Sequence, residues 1–185
     1  MIDELMKTQE ERMKKTLEGL KKDYGTLRAG RAAPSLLDKV FVDYYGTPTP
    51  VNQIASVTVP EARMIMIKPY EKNIIKEVEK AIQKSDLGLT PNSDGMVIRL
   101  AIPQLTQERR KELVKVVNKK AEDAKVAIRS IRRDAIDGFR KQQKDSEITE
   151  DELKVAEDEV QKITDSMIEE IDGILANKEK EVMSV

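Results

Sequence analysis

Apolar side chains near the start of the chain recur at helical steps: Met6, Met13, Leu17, Leu20, Tyr24 and Leu27 are spaced by seven, four, three, four and three. That spacing lays one stripe along a long helix, which should stop near Gly30. A second stripe begins after Pro103, where Leu113, Val117, Ala121, Ala124, Ile128, Ile131, Ala135 and Phe139 keep steps of three or four. Thr106 stands as its N-cap, with Glu108 close to the positive end of the helix dipole. Unbroken to about Lys144, this helix would be roughly 60 Å long at ~1.5 Å per residue. The third helix has the clearest start: Thr149 with Glu152 makes a capping box, and Ile148 and Leu153 occupy hydrophobic-staple positions. Its face reads Leu153, Ala156, Val160, Ile163, Met167, Ile171, Ile174. Three helices, each with one stripe that it cannot bury alone, predict an elongated antiparallel three-helix bundle. The turn around Asp145 to Glu147 is short enough to make the last two neighbours.

Residues 31–104 have a different character, holding all seven prolines and the β-favouring stretches Val40 to Val42, Ile54 to Val59, Met64 to Ile67 and Met96 to Ile102. Ile74, Ile75, Val78, Ala81 and Ile82 mark one short helix, and Asp94-Gly95 supplies a turn before Ile98, Leu100 and Ile102 point one way and Arg99 the other. The expected fold class is therefore α+β: a bundle of residues 1–30 plus 105–185, with a small β/α/β domain, 31–104, inserted in it. The chain would cross between domains twice, at Gly30 and Arg31 and at Pro103, Gln104 and Leu105. A two-crossing link is a natural hinge, since few contacts break when one domain turns on the other.

Composition removes most catalytic chemistry. Among the 185 residues there is no Cys and no His, so disulfides, thiolate metal sites, the usual zinc ligand and the usual neutral-pH base are all missing. The serines have no base to activate them. Gly25 to Gly30 has phosphate-loop glycine spacing but continues Arg31-Ala32 and ends a helix, and Asn92 to Gly95 lacks the closing Glu of a calcium loop. No catalytic residue, metal or cofactor is expected. The longest apolar run, Met64 to Ile67, is four residues, against the roughly 20 of a membrane-spanning helix. The opening segment has no apolar signal region, and a soluble cytoplasmic protein with no membrane partner is expected.

Charge carries the positive signal. The chain has 33 basic and 34 acidic side chains, but residues 106–145 hold 13 basic and 7 acidic while 146–185 hold 4 and 13. On a wheel at ~100° per residue, Lys111, Lys115, Lys125, Arg129, Arg132, Arg133 and Arg140 fall within an arc of about 100°, interrupted only by Glu122. Arg129, Arg132 and Arg133 lie on adjacent turns, where like charges cost stability unless an anion meets them. Structured-RNA phosphates suit a rigid rod with one cationic edge, and the low aromatic content, 3%, argues against stacking on single-stranded bases. Two alternatives stand beside this: the edge is solvated or neutralised by the acidic third helix, and the chain is a helical protein-binding or chaperone-like scaffold.

Several strings together resemble the bacterial ribosome recycling factor family: Tyr24 to Pro34 (YGTLRAGRAAP), Ser85 to Pro91 (SDLGLTP), Asp94 to Leu100 (DGMVIRL), Pro103 to Arg110 (PQLTQERR) and Ala124 to Asp134 (AKVAIRSIRRD). The resemblance runs from end to end. It implies an L-shaped molecule of tRNA-like size: a three-helix bundle carrying an inserted β/α/β domain on a flexible elbow. It further implies a monomer that enters the post-termination ribosome and, with elongation factor G and GTP hydrolysis by that partner, separates the subunits. Carried over by motif, Arg28 and Arg31 at the elbow and Arg110, Arg129, Arg132 and Arg133 on the bundle would contact large-subunit ribosomal RNA. Departures are small: Ser130 stands where Asn is usual, Gln107 where Glu is, and Ile136 and Phe139 where polar residues are common.

Overall fold

The computed structural model describes residues 1–27 and 30–184. In chain order the elements are α1 (Ile2–Thr26), β1 (Phe41–Tyr44), β2 (Thr47–Pro50), the single turn α2 (Val51–Ile54), β3 (Ala55–Glu61), β4 (Met64–Pro69), α3 (Ile75–Lys84), β5 (Pro91–Ser93), β6 (Ile98–Ala101), α4 (Gln107–Lys144) and α5 (Glu150–Met183). Two compact units separate, one of Met1–Tyr24 with Lys111–Ser184 and one of Gly25–Arg110. Among the described residues no helix is long and apolar enough to cross a membrane.

The first unit is a three-helix bundle. Arg12 reaches Asp134 at 3.1 Å and Asp23 reaches Lys120 at 3.8 Å, so α1 and α4 run antiparallel. Asn118 donates to Glu179 and Arg140 to Glu157, which makes α4 and α5 antiparallel as well. The buried face of α4 is the one its periodicity predicts, residue for residue from Leu113 to Phe139. On α1 the stripe is buried from Met6 to Tyr24, but the helix ends at Thr26, short of the expected stop near Gly30, and Leu27 lies beyond it. Gln9, buried within the step of seven that the apolar pattern left open, accepts a hydrogen bond from Arg12 at 2.7 Å. Tyr24 donates from its hydroxyl to the Val117 carbonyl at 2.6 Å, and burial followed by the nearby Glu179 pushes the phenol up to about 12.

The capping box of α5 is present, with Thr149 Oγ1 accepting from Glu152 N–H at 3.1 Å and Glu152 from Thr149 N–H at 2.8 Å. Its core stripe is rotated from expectation: Thr164 and Lys178 are buried, whereas Leu153, Ile163 and Ile174 are half-buried. Polar residues are tolerated there because Thr164 donates to the Val160 carbonyl at 2.7 Å and the Lys178 ammonium lies 3.3 Å from Glu181. Between α4 and α5, Glu147 N–H bonds to the Gln142 carbonyl and Ser146 N–H to that of Gln143, with Ser146 at φ 61°. This is a Schellman turn whose left-handed position favours glycine. Ser146→Gly is expected to raise stability by about 0.5–1 kcal/mol in a denaturant titration, the left-handed strain relieved less the added unfolded-state entropy.

The second unit has two sheets, the β1–β2 hairpin and a four-stranded antiparallel sheet in the order β3-β4-β6-β5. Their core joins Val42, Val51, Ile65, Ile67, Ile98 and Leu100 to Val78 and Ile82 of α3. Ile54, expected to open a strand, instead closes α2, and β3 starts one residue later. Where the unit is entered and left, Ala32 N–H bonds to the Ala62 carbonyl and Ile102 N–H to the Arg63 carbonyl, both at 2.8 Å, so one turn holds both segments.

The Asp94-Gly95 turn forms as expected. Asp94 accepts from the Met96 and Val97 amides, both at 2.9 Å, and from Arg99 at 3.1 Å. The Val97 and Met96 amides, then Arg99, hold its carboxyl down at about 2, below the ordinary 3.8. Since the folded value is the lower one, this turn adds stability above the unfolded value and loses it as pH falls through about 2. In an NMR titration Asp94 is expected to have its midpoint near 2, and in Arg99→Ala a higher one still below 3.8, because both amide bonds remain.

Candidate nucleic-acid interface

The cationic edge of α4 follows from its core stripe. Ile128, Ile131 and Ala135 point inward, so Arg129, Arg132 and Arg133, at steps of three and one, are carried to one flank. Their surroundings differ. Arg133 is exposed and has no ion pair or hydrogen bond among the described residues. Arg129, also exposed, lies 3.5 Å from Glu122, the one acid inside the predicted arc and a residue of the same helix. Arg132 is half-buried and donates to Gln161 of α5 at 3.2 Å through a contact that lies at the surface. None of the three meets a carboxylate of α5 in these contacts, so their charge stays at the surface.

Other members of the arc are tied to α5. Lys125, with a side chain only 18% exposed, meets Asp172 at 2.5 Å, and Arg140 meets Glu157 at 3.0 Å. The expectation that the acidic helix neutralises the edge is thus met at two positions flanking the arginine trio, not at the trio. The Arg140 contact is largely exposed, and such pairs are worth only about 0–1 kcal/mol, so an incoming phosphate can replace it.

The remaining sequence candidates fall elsewhere. Arg28 lies outside the described residues. Arg31 is exposed and already engaged within the protein. Arg110 is half-buried, and its Nε is closed off from solvent with no hydrogen-bond partner among the described residues. Arg31 and Arg110 belong to the unit of Gly25–Arg110, the trio to the other. In the former, Gly30 takes φ 75° and a Cβ on it would lie 3.2 Å from Leu105 Cγ, so the two expected hinge segments touch there. The side chain that sequence reasoning missed is Gln161; its one visible signal is a neutral amide in a helix crowded with acids.

Chemically, the trio offers exposed guanidinium groups on a rigid rod, suited to bidentate phosphate contacts and not to base readout. Among the described residues no cluster of His, Cys, Asp or Glu could hold a metal ion.

The chain is similar to known proteins over its whole length. The family profile described as ribosome recycling factor matches residues 20–183. A ribosome-recycling factor of Caldicellulosiruptor bescii is 64% identical over 176 residues, 95% of this chain and 96% of its own. That of Pelotomaculum thermopropionicum is 61% identical over 185 residues, all of both chains. A solution structure of the ribosome recycling factor superposes with a TM-score of 0.83 at 39% identity, covering 100% of this chain and 98% of the other. The T. thermophilus factor, described with E. coli elongation factor G as bound to the E. coli post-termination complex, gives 0.70 at 44% identity over the full length of both.

Proposed function

The chain belongs to the ribosome recycling factor family, and from that premise we propose that it binds the post-termination ribosome and, with elongation factor G, separates the subunits. GTP hydrolysis is the partner's; this chain supplies a stiff shaft and an RNA-gripping edge. The observation that carries the reading is the trio Arg129, Arg132 and Arg133, three cations on adjacent turns with, among the described residues, no carboxylate of α5 drawn against them. Large-subunit ribosomal RNA is the anion that fits, since its phosphates can be tracked along one edge of a helix without base readout.

The segments around Gly30-Arg31 and Pro103-Gln104-Leu105 serve as the elbow between residues 1–30 plus 105–185 and the insert 31–104. Support comes from the division of the chain into two compact units, whose limits at Gly25 and Arg110 fall close to these segments. Arg28, Arg31 and Arg110 complete the RNA contact on the resemblance alone. The protein acts in the cytoplasm as a monomer, a reading supported by the way α1, α4 and α5 turn their apolar stripes on one another.

The test is a subunit-separation assay. Post-termination ribosomes incubated with this protein, elongation factor G and GTP are expected to resolve into subunits on a sucrose gradient, and to stay joined when either protein is omitted. Ribosomes that remain joined with both present would refute the function.

A further inference from the structure

Three cationic side chains of α4 cross to α5. Lys125 meets Asp172 and Arg140 meets Glu157, both carboxylates, but Arg132, between them, meets the carboxamide of Gln161. Residues 146–185 hold 13 acids, yet the neutral partner falls opposite the central arginine. Gln161 is itself held: its Nε2 donates to Asp165 Oδ1 at 2.9 Å, which fixes the amide with Oε1 facing Arg132 Nη1. An amide oxygen can occupy one guanidinium N–H without cancelling the charge, and arginine has five such donors. A carboxylate in the same place would offset the charge and compete with phosphate for the guanidinium.

We propose that Gln161, oriented by Asp165, is a positioning residue for Arg132: it presents the guanidinium at the cationic edge with its charge intact, while Asp172 draws the largely buried Lys125 away from that edge. This inference rests on the RNA-contact reading above and adds to it the division of labour along α5. Helix α5 thereby selects which cations of α4 are available to phosphate. It also accounts for an uncharged residue at 161 in an acidic helix.

The experiment measures binding to isolated large subunits across a salt series for Gln161→Glu and Gln161→Ala, each alone and combined with Arg132→Ala. Gln161 is exposed, and helical circular dichroism checks that each variant is folded. Gln161→Glu is expected to weaken binding about tenfold and reduce the magnitude of the log affinity against log salt slope by ~0.7, one phosphate contact. Gln161→Ala should weaken binding about threefold with the slope unchanged, because the charge survives and only its preset orientation is lost. In the Arg132→Ala background both should be silent. If Arg132→Ala binds like the parent protein, the RNA reading itself fails. If Arg132→Ala weakens binding but Gln161→Glu does not, the positioning role alone fails. Equal weakening by Gln161→Glu in both backgrounds would mean general repulsion of RNA and would likewise overturn it.

Discussion

Replacing Arg129, Arg132 and Arg133 together by Ala is expected to weaken binding to large ribosomal subunits by roughly a thousandfold or more, at about 1.5 kcal/mol per charge-assisted contact. The fold should survive. Arg129 and Arg133 are exposed, Arg132 gives up only a hydrogen bond to Gln161, and removing like charges at adjacent turns relieves repulsion. Thermal melting followed by circular dichroism should therefore shift little while co-sedimentation with large subunits falls. Unaltered co-sedimentation would count against the site. Weak binding accompanied by a large drop in Tm would mean that the trio is structural.

The largest effect on stability is expected from Phe139→Ala. Phe139 is 0% exposed and packs in a cluster with Met6, Ala135, Ala156 and Val160, where all three helices of the bundle meet. Gly138 beside it admits Leu5 so closely that a Cβ there would come within 2.6 Å of a Leu5 methyl, so α1 is seated tightly on α4. Removing a fully buried ring from such a site costs about 3–5 kcal/mol, since the backbone relaxes only partly into the cavity. Urea unfolding should show the midpoint falling with the m-value kept. A loss below 1 kcal/mol would mean that this end of the bundle is loosely packed.

The helices were legible because their burial is periodic and local. The eight core residues of α4 follow from spacing alone, and the Thr149–Glu152 box from residue identity. Strand β2, Thr47-Pro48-Thr49-Pro50, was missed because two prolines argue against a strand. It forms because they stand two residues apart and so turn their missing N–H groups to the same, unpaired side of a two-stranded ladder. Strand β5 was missed for a related reason: Pro91 opens it at the edge of its sheet. The rotation of the α5 face depends on Thr164 and Lys178 finding partners, which hydropathy does not register.

At the site, the wheel identified the arginine trio but could not divide the arc. Whether Lys125, Arg132 or Arg140 meets an acid depends on the register of α4 against α5, a tertiary property. The charge count over 146–185 pointed to neutralisation in general and said nothing of which cation escapes it. Gln161 was invisible for the same reason.

Phosphate contact by the arginine edge is tested most directly by the salt dependence of large-subunit binding. With about five phosphates engaged, log affinity should fall against log salt with a slope near -3.5, and the triple alanine variant should lose about 2 of that, at ~0.7 per contact. A flat response, or the same slope in both proteins, would contradict it.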